Sequence, residues 1–242
     1  MTMKNFLFLF FLLLVGPIGA DQARPRLSDV LEGYVQDGKV DYAGLRKDRG
    51  EEMEAFVKAL ATADLDAMSH DERVAFLLDA YNGLVVYQIV TEQDAPDSAR
   101  KRARFFRGRR YTVAGESKTL DNIEHDALRP LAEDPRVHFV LVCGANSCPQ
   151  LKASSFLAAQ DLDETLDQAA REYINNPGNV AIDETRRTVV LNKIFDWYAS
   201  DFGDVLQFVA GYLPEPQRRL LKTGDWKLEY RDYDWSLNKT EG

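Results

Sequence analysis

Two cysteines, three histidines and three tryptophans are all that the 242 residues contain of those types. So few cysteines exclude a disulfide-dense scaffold and a four-cysteine zinc site. The chain has no GxGxxG dinucleotide pattern, GxxxxGK(S/T) phosphate loop, HExxH metalloprotease helix or EF-hand loop. The GANSC string at 144–148 is not the GxSxG elbow of a serine hydrolase. Repeats, low-complexity tracts and long linkers are lacking too. Basic residues are outnumbered, 30 against 39 acidic ones, for a net charge of −9. That balance argues against a broad nucleic-acid footprint, so no nucleic-acid partner is expected.

The longest unbroken apolar run, Phe6 to Val15, is too short to span a bilayer as a helix. Lys4 precedes it, and Gly16-Pro17 and Gly19-Ala20 follow it. The arrangement reads as a signal peptide, residues 1–20, cut before Asp21. The expected product is periplasmic or secreted, without stable membrane insertion after cleavage, with residues 21–242 forming one globular domain. The basic stretch ARKRARFFRGRR, residues 99–110, is a local exception that reads as a solvated connection anchored by its two phenylalanines, the alternative being a contact for a phosphate or an anionic surface.

Hydrophobic spacing organises the rest. Leu27, Val30, Leu31, Tyr34 and Val35 recur at helical intervals, and a second helix is expected over Glu51 to Leu60. SHDERVAFLLDAYNGLVVYQIV has a capping box from Ser69 to Glu72 and is apolar around most of its girth, which predicts a central helix. RYTVAGESKTL reads as two short strands around a glycine turn. Leu120 to Leu131 reads as a helix capped by Asp121, VHFVLV as a buried strand, and Leu162 to Ile174 as a helix. Asn179 to Asn192 reads as a hairpin, followed by short helices over Lys193–Ala199 and Asp204–Tyr212. Strands scattered among helices without regular crossovers give an α+β class, a helix-rich single domain with a small antiparallel sheet.

Both cysteines fall in one short stretch, RVHFVLVCGANSCPQLKASSF. If Pro149 opens a helix, Cys148 sits at its cap, where free backbone donors and the positive helix end stabilise a thiolate and an oxyanion. Gly144 would let the backbone approach a ligand closely. The candidate bases are His125, on a separate helix, and His138, on the strand face opposite Cys143; His70 lies at the polar start of a helix. Glu124 neighbours His125 but points elsewhere on an α-helix. Asn82 faces the interior, so it either ties its helix to a neighbouring backbone or orients the imidazole or the oxyanion. Export equally permits a Cys143–Cys148 disulfide, which would pin the turn and silence Cys148, and two inert thiols remain a third reading. The spacing matches no common zinc pattern, and no metal or cofactor is expected. The aromatic C-terminus, with Trp226, Tyr230, Tyr233 and Trp235, either packs in the core or lines a carbohydrate or peptide groove.

VDYAGL at 40–45, RVAFLLDAYNGL at 73–84, KTLDNIEHDALR at 118–129, DPRVHFVLVCGANSCPQL at 134–151, VVLNKIFDWYASDF at 189–202 and YDWSLN at 233–238 carry a likeness. Together they resemble the domain of unknown function 547 family over nearly all of residues 21–242. The resemblance implies a recurring IEH motif at Ile123-Glu124-His125 and a recurring HF-then-CxxxSCP segment at His138-Phe139 and Cys143 to Pro149. It matches a polar helix position to Asn82 and a DYxxL-like start to Tyr42. The chain departs from it at Leu77-Leu78-Asp79, where the family pattern has Trp-Ile-Asn, and at Asn192-Lys193, where a serine precedes the lysine. The family name assigns no chemistry. The residues themselves support a thiol-dependent hydrolase or acyl transferase acting on an amide or ester, with catalytic candidates Cys148, His125, His138, Asn82 and Glu124 and an unknown small-molecule or peptide substrate. The alternative is a non-enzymatic binding or scaffold domain with a structural Cys143–Cys148 disulfide.

Overall fold

The computed structural model describes residues 26–91 and 99–241, and the N-terminal apolar run lies outside the described residues. The first segment folds as α1 (Leu27–Leu31), a β1–β2 hairpin (Val35–Gln36 and Lys39–Val40), α2 (Tyr42–Asp48) and α3 (Gly50–Ala61). Asp41 caps α2 by accepting from the Gly44 N–H, so VDYAGL is a strand end followed by a capped helix. The helical spacing through Tyr34 and Val35 does not persist, because α1 ends at Leu31 and the chain turns into the hairpin.

Next comes α4 (His70–Thr91), and its capping box forms: the Glu72 N–H donates to Ser69 Oγ at 3.3 Å and the Ser69 N–H to Glu72 Oε2 at 2.7 Å. The helix is long and apolar enough to cross a membrane, yet its apolar girth is buried inside the protein. It is the axis of a first core, on which α2 and α3 pack. Gly83 makes that packing close, since Phe56 occupies the space a Cβ would need.

The basic stretch forms α5 (Ala99–Gly108), with Phe105 buried in the first core and Phe106 packed against it. The expected hairpin follows as β3 (Tyr111–Val113) and β4 (Glu116–Lys118). Its turn residues Ala114 and Gly115 both have positive φ, and their N–H groups donate to the Leu60 and Ala61 carbonyls at the end of α3.

Helix 120–131 is present in a different form. Asn122–Leu128 is a π-helix, continued by α6 (Arg129–Ala132). Thr119 and Asn122 cap its start reciprocally, which frees Asp121 for other partners. VHFVLV is no strand: Pro135–Phe139 forms a 3-10 turn, and the following residues have no ladder partner. Residues 149–155 hold no helix either; the next helical turn is a 3-10 turn at Phe156–Ala158. Its position is set by the buried Asp79 carboxylate, which accepts from Ser155 Oγ and from the Phe156 and Leu157 N–H groups.

The second half contains α7 (Leu162–Ile174), a hairpin of β5 (Val180–Asp183) and β6 (Thr188–Leu191), then α8 (Ile194–Trp197), α9 (Ala199–Phe202), α10 (Val205–Tyr212), α11 (Glu215–Leu221) and β7 (Lys227–Tyr230). β5 and β6 are antiparallel as expected, whereas β7 joins β6 in parallel, in register from Thr188–Lys227 to Leu191–Tyr230. The class is α+β and helix-rich. A second core gathers Tyr173, Ile174, Val189, Phe195, Phe202 and Val209, and Phe139 belongs to it. Val137, Val140, Leu141 and Val142 belong to the first core. The 137–142 segment therefore threads the seam between the two cores, and the histidine and cysteine chemistry lies along that seam.

Candidate functional site

Asn82 explains why the 140–142 segment needs no strand neighbour. From the middle of α4 its Nδ2 donates to the Val140 carbonyl at 2.9 Å, and its Oδ1 accepts from the Val142 N–H at 3.0 Å. Both ends of the amide serve backbone, so Asn82 ties α4 to the chain leading into Cys143.

The CGANSC turn is clamped from outside. Gly144 takes a positive φ of 77°, and a Cβ there would fall 2.5 Å from Ile89 Cδ1, so its glycine serves close packing on α4 rather than ligand approach. After β7 the chain returns along this turn. Asn238 N–H donates to Gly144 O at 3.0 Å, Asn146 N–H to Ser236 O at 2.9 Å and Ser147 N–H to Asp234 O at 3.2 Å. Asn192 Nδ2 donates to Ser147 O at 3.0 Å. Cys143 and Cys148 are disulfide-bonded, with Cα atoms 6.0 Å apart, inside the span a disulfide bridges. The Cys143 N–H points at Cys148 Sγ, 2.7 Å away, and Tyr233 Oη lies 3.3 Å from Cys143 Sγ. Without a helix at Pro149, no helix end faces Cys148; a single backbone N–H does.

Both cysteines line a cavity of about 390 Å³, and His125, His138 and Glu124 line it too. Glu124 and His125, adjacent on the π-helix, line the same cavity, against the expectation that Glu124 points elsewhere. Glu124 accepts from Tyr198 Oη at 2.6 Å, and His125 Nε2 lies 3.9 Å from Glu124 and 3.8 Å from Asp121.

Arg129 organises both histidines. Its Nη1 lies 2.7 Å from His125 Nδ1; a guanidinium only donates, so Nδ1 accepts and the ring proton sits on Nε2. Its Nε and Nη2 form a fork on Asp201, at 2.9 and 2.7 Å. That fork, and secondarily His138, holds the Asp201 carboxyl well below the usual carboxylate range. An ionised Asp201 only accepts, and its Oδ2 lies 2.8 Å from His138 Nε2. His138 therefore carries its proton on Nε2 and keeps its lone pair on Nδ1. Burial, the ring being 2 % exposed, pushes its pKa down, so the imidazole is neutral at pH 7. Tyr198 stacks on it with ring centres 3.9 Å apart. Burial first, then Glu124, pushes the Tyr198 phenol far up.

A pH dependence of stability follows. His138 titrates lower when folded than when unfolded, so its contribution is complete above about pH 6.5 and declines as the pH falls below that value. Asp201, also lowered, adds a loss of the same sign only at more acidic pH. Urea midpoints measured from pH 8 to 5 should fall on the acid side, and His138→Gln should flatten that fall. Midpoints that rise toward pH 5 would contradict a buried neutral imidazole.

The aromatic C-terminus divides. Trp226, Tyr230 and Tyr233 pack against the second core, and Tyr233 together with Trp235 lines the cavity. With Trp197, whose side is 46 % exposed, they form a cluster with ring centres 4.5 to 5.7 Å apart. Asp201, Tyr198 and Trp197 were not among the candidates from sequence, since no spacing links residues 197–201 to residues 125–148; Arg129 was missed although it follows His125 by four residues, a spacing that brings side chains together on a helix.

Residues 65–174 match the model of a family described as "Protein of unknown function, DUF547". They belong to that family. The DUF547 segment contains Asn82, Glu124, His125, Arg129, His138 and both cysteines, while Tyr198, Asp201, Tyr233 and Trp235 come from beyond it. Neither the curated proteins nor the solved structures contain a match to the chain.

Proposed function

We propose that the protein is an exported thiol-dependent hydrolase or acyl transferase that acts, in its reduced form, on an amide or ester of a small molecule or peptide. The observation that carries this reading is one cavity lined by both cysteines and by His138, whose Nε2 is fixed on Asp201 so that Nδ1 is left as a base. Cys148 would attack the carbonyl as a thiolate, and His138 would return the proton to the departing amine or alcohol. Water or an acceptor alcohol, deprotonated at the same nitrogen, would then release the acyl group from sulfur. The export part rests on the N-terminal run and agrees with a disulfide, which forms in oxidising compartments.

A second reading, a non-enzymatic binding domain, draws support from the bonded Cys143–Cys148 pair and the aromatic wall. The two separate on reduction. Release of nitrophenol and nitroaniline from p-nitrophenyl esters and amino-acid p-nitroanilides is measured before and after treatment with a dithiol. Turnover only after reduction supports the enzyme. Equal rates in both states, or none in either, remove it.

A further inference from the structure

We propose that Cys143 and Cys148 form a reversible redox couple of fixed polarity, in which Cys148 exchanges with thiols or disulfides of a partner and Cys143 resolves the exchange. This goes beyond the hydrolase reading and shares with it the cavity and the nucleophile Cys148.

The turn does not need its bridge. Its backbone is held by the Asn82 amide, by Asn192 and by the returning C-terminal chain at Gly144, Asn146 and Ser147. None of these bonds involves sulfur, so opening the disulfide leaves the two sulfurs facing one another on a fixed backbone. A bridge closing a separation of five residues also removes little freedom from the unfolded chain compared with one closing a long loop.

The sulfurs are also within reach of a partner. Both cysteines are half-buried rather than sealed. Cys148 lines the 390 Å³ cavity and also a neighbouring one of about 150 Å³. The smaller cavity is not lined by Cys143, so a partner sulfur can reach Cys148 through space that Cys143 does not border.

Polarity comes from the hydrogen bonds. Cys148 Sγ receives the Cys143 backbone N–H, a donor that cannot rotate away and that favours the thiolate over the thiol. Cys143 Sγ has the Tyr233 hydroxyl beside it, placed to stabilise the sulfur as it leaves. In the reduced protein the Cys148 thiolate attacks a partner disulfide, forming a mixed disulfide and expelling one partner thiolate. Cys143 then loses its proton and attacks Cys148 Sγ, which expels the second partner thiolate and closes the Cys143–Cys148 bond. The partner gains two electrons and the protein loses two. The reverse sequence, begun by a partner dithiol, opens the bond through the same mixed disulfide.

The test reads sulfur rather than turnover, so its failure is distinct from failure of the hydrolase reading. The folded protein is treated with dithiothreitol, and its two-hydrogen mass change is followed alongside near-ultraviolet circular dichroism. The reduced protein is then pulsed with iodoacetamide, and each cysteine is quantified by peptide mass. Reduction without unfolding is expected, with Cys148 alkylated about tenfold or more faster than Cys143. Cys143→Ala should trap one glutathione on Cys148 when exposed to glutathione disulfide. A bridge that opens only on unfolding, or alkylation at equal rates or faster at Cys143, overturns the proposal.

Discussion

Cys148→Ala is expected to lower turnover of the reduced protein by about 10⁴-fold or more, to the rate in buffer, because removing a covalent nucleophile removes the pathway rather than tuning it. That is about 5.5 kcal/mol or more of transition-state stabilisation. His138→Ala should cost about 10²–10⁴-fold, the range for losing a positioned base. Asp201→Asn should cost up to about 10⁴-fold while leaving the polar contact in place, since an amide no longer dictates which imidazole nitrogen carries the proton. The losses should not add. Once Cys148 is gone, removing His138 has no thiol to deprotonate and should change the residual rate little. Cys143→Ala should behave oppositely, retaining turnover and no longer needing reduction, because only Cys148 is asked to attack carbon. Rates of hydrolysis for the wild type, the four single variants and the Cys148→Ala/His138→Ala double variant, each reduced and Cys143→Ala also without reductant, decide the matter: undiminished turnover in Cys148→Ala ends the thiol mechanism, and additive losses break the unit.

The sequence exposes this site unevenly, and the reasons are physical. α4 is legible to its cap because a capping box and continuous burial are local properties of Ser69, Glu72 and the residues after them. The β5–β6 hairpin is legible for the same reason. VHFVLV misleads because its apolar run matches a strand equally well, while the element that replaces a strand partner is one amide on a helix nearly sixty residues earlier. Pro149 misleads because the chain after it is pulled toward Asp79, a buried carboxylate whose three donors lie in residues 155–157. Adjacent residues such as Glu124 and His125 diverge on an α-helix, but a π-helix changes that spacing, and no propensity announces it. Asp201 and Tyr198 reach the site through the packing of the second core, so their place beside His138 is tertiary information that a linear reading does not contain.

Asn82→Ala is expected to lower folding stability by about 2–5 kcal/mol, a large share of the roughly 5–15 kcal/mol that holds such a domain together. The cost arises less from the amide itself than from what it leaves behind. The Val140 carbonyl and the Val142 N–H lie beside side chains that are 8 % and 3 % exposed, and each would lose its partner away from water. Asn82→Asp distinguishes the two halves of the amide. Its carboxylate still accepts from the Val142 N–H but turns an oxygen toward the Val140 carbonyl, so it should be no better than alanine at neutral pH and should recover partly in acid, where a protonated carboxyl donates again. Asn82→Leu fills space and satisfies neither group, so volume alone should not rescue stability. Because the same amide fixes the chain entering Cys143, the alanine protein should also lose the difference in alkylation rate between Cys148 and Cys143 under conditions where it is still folded. Urea unfolding of the three variants at pH 7 and 5 provides the measurement, and an alanine variant within about 0.5 kcal/mol of wild type would mean that the Asn82 bonds do not hold the seam between the two cores.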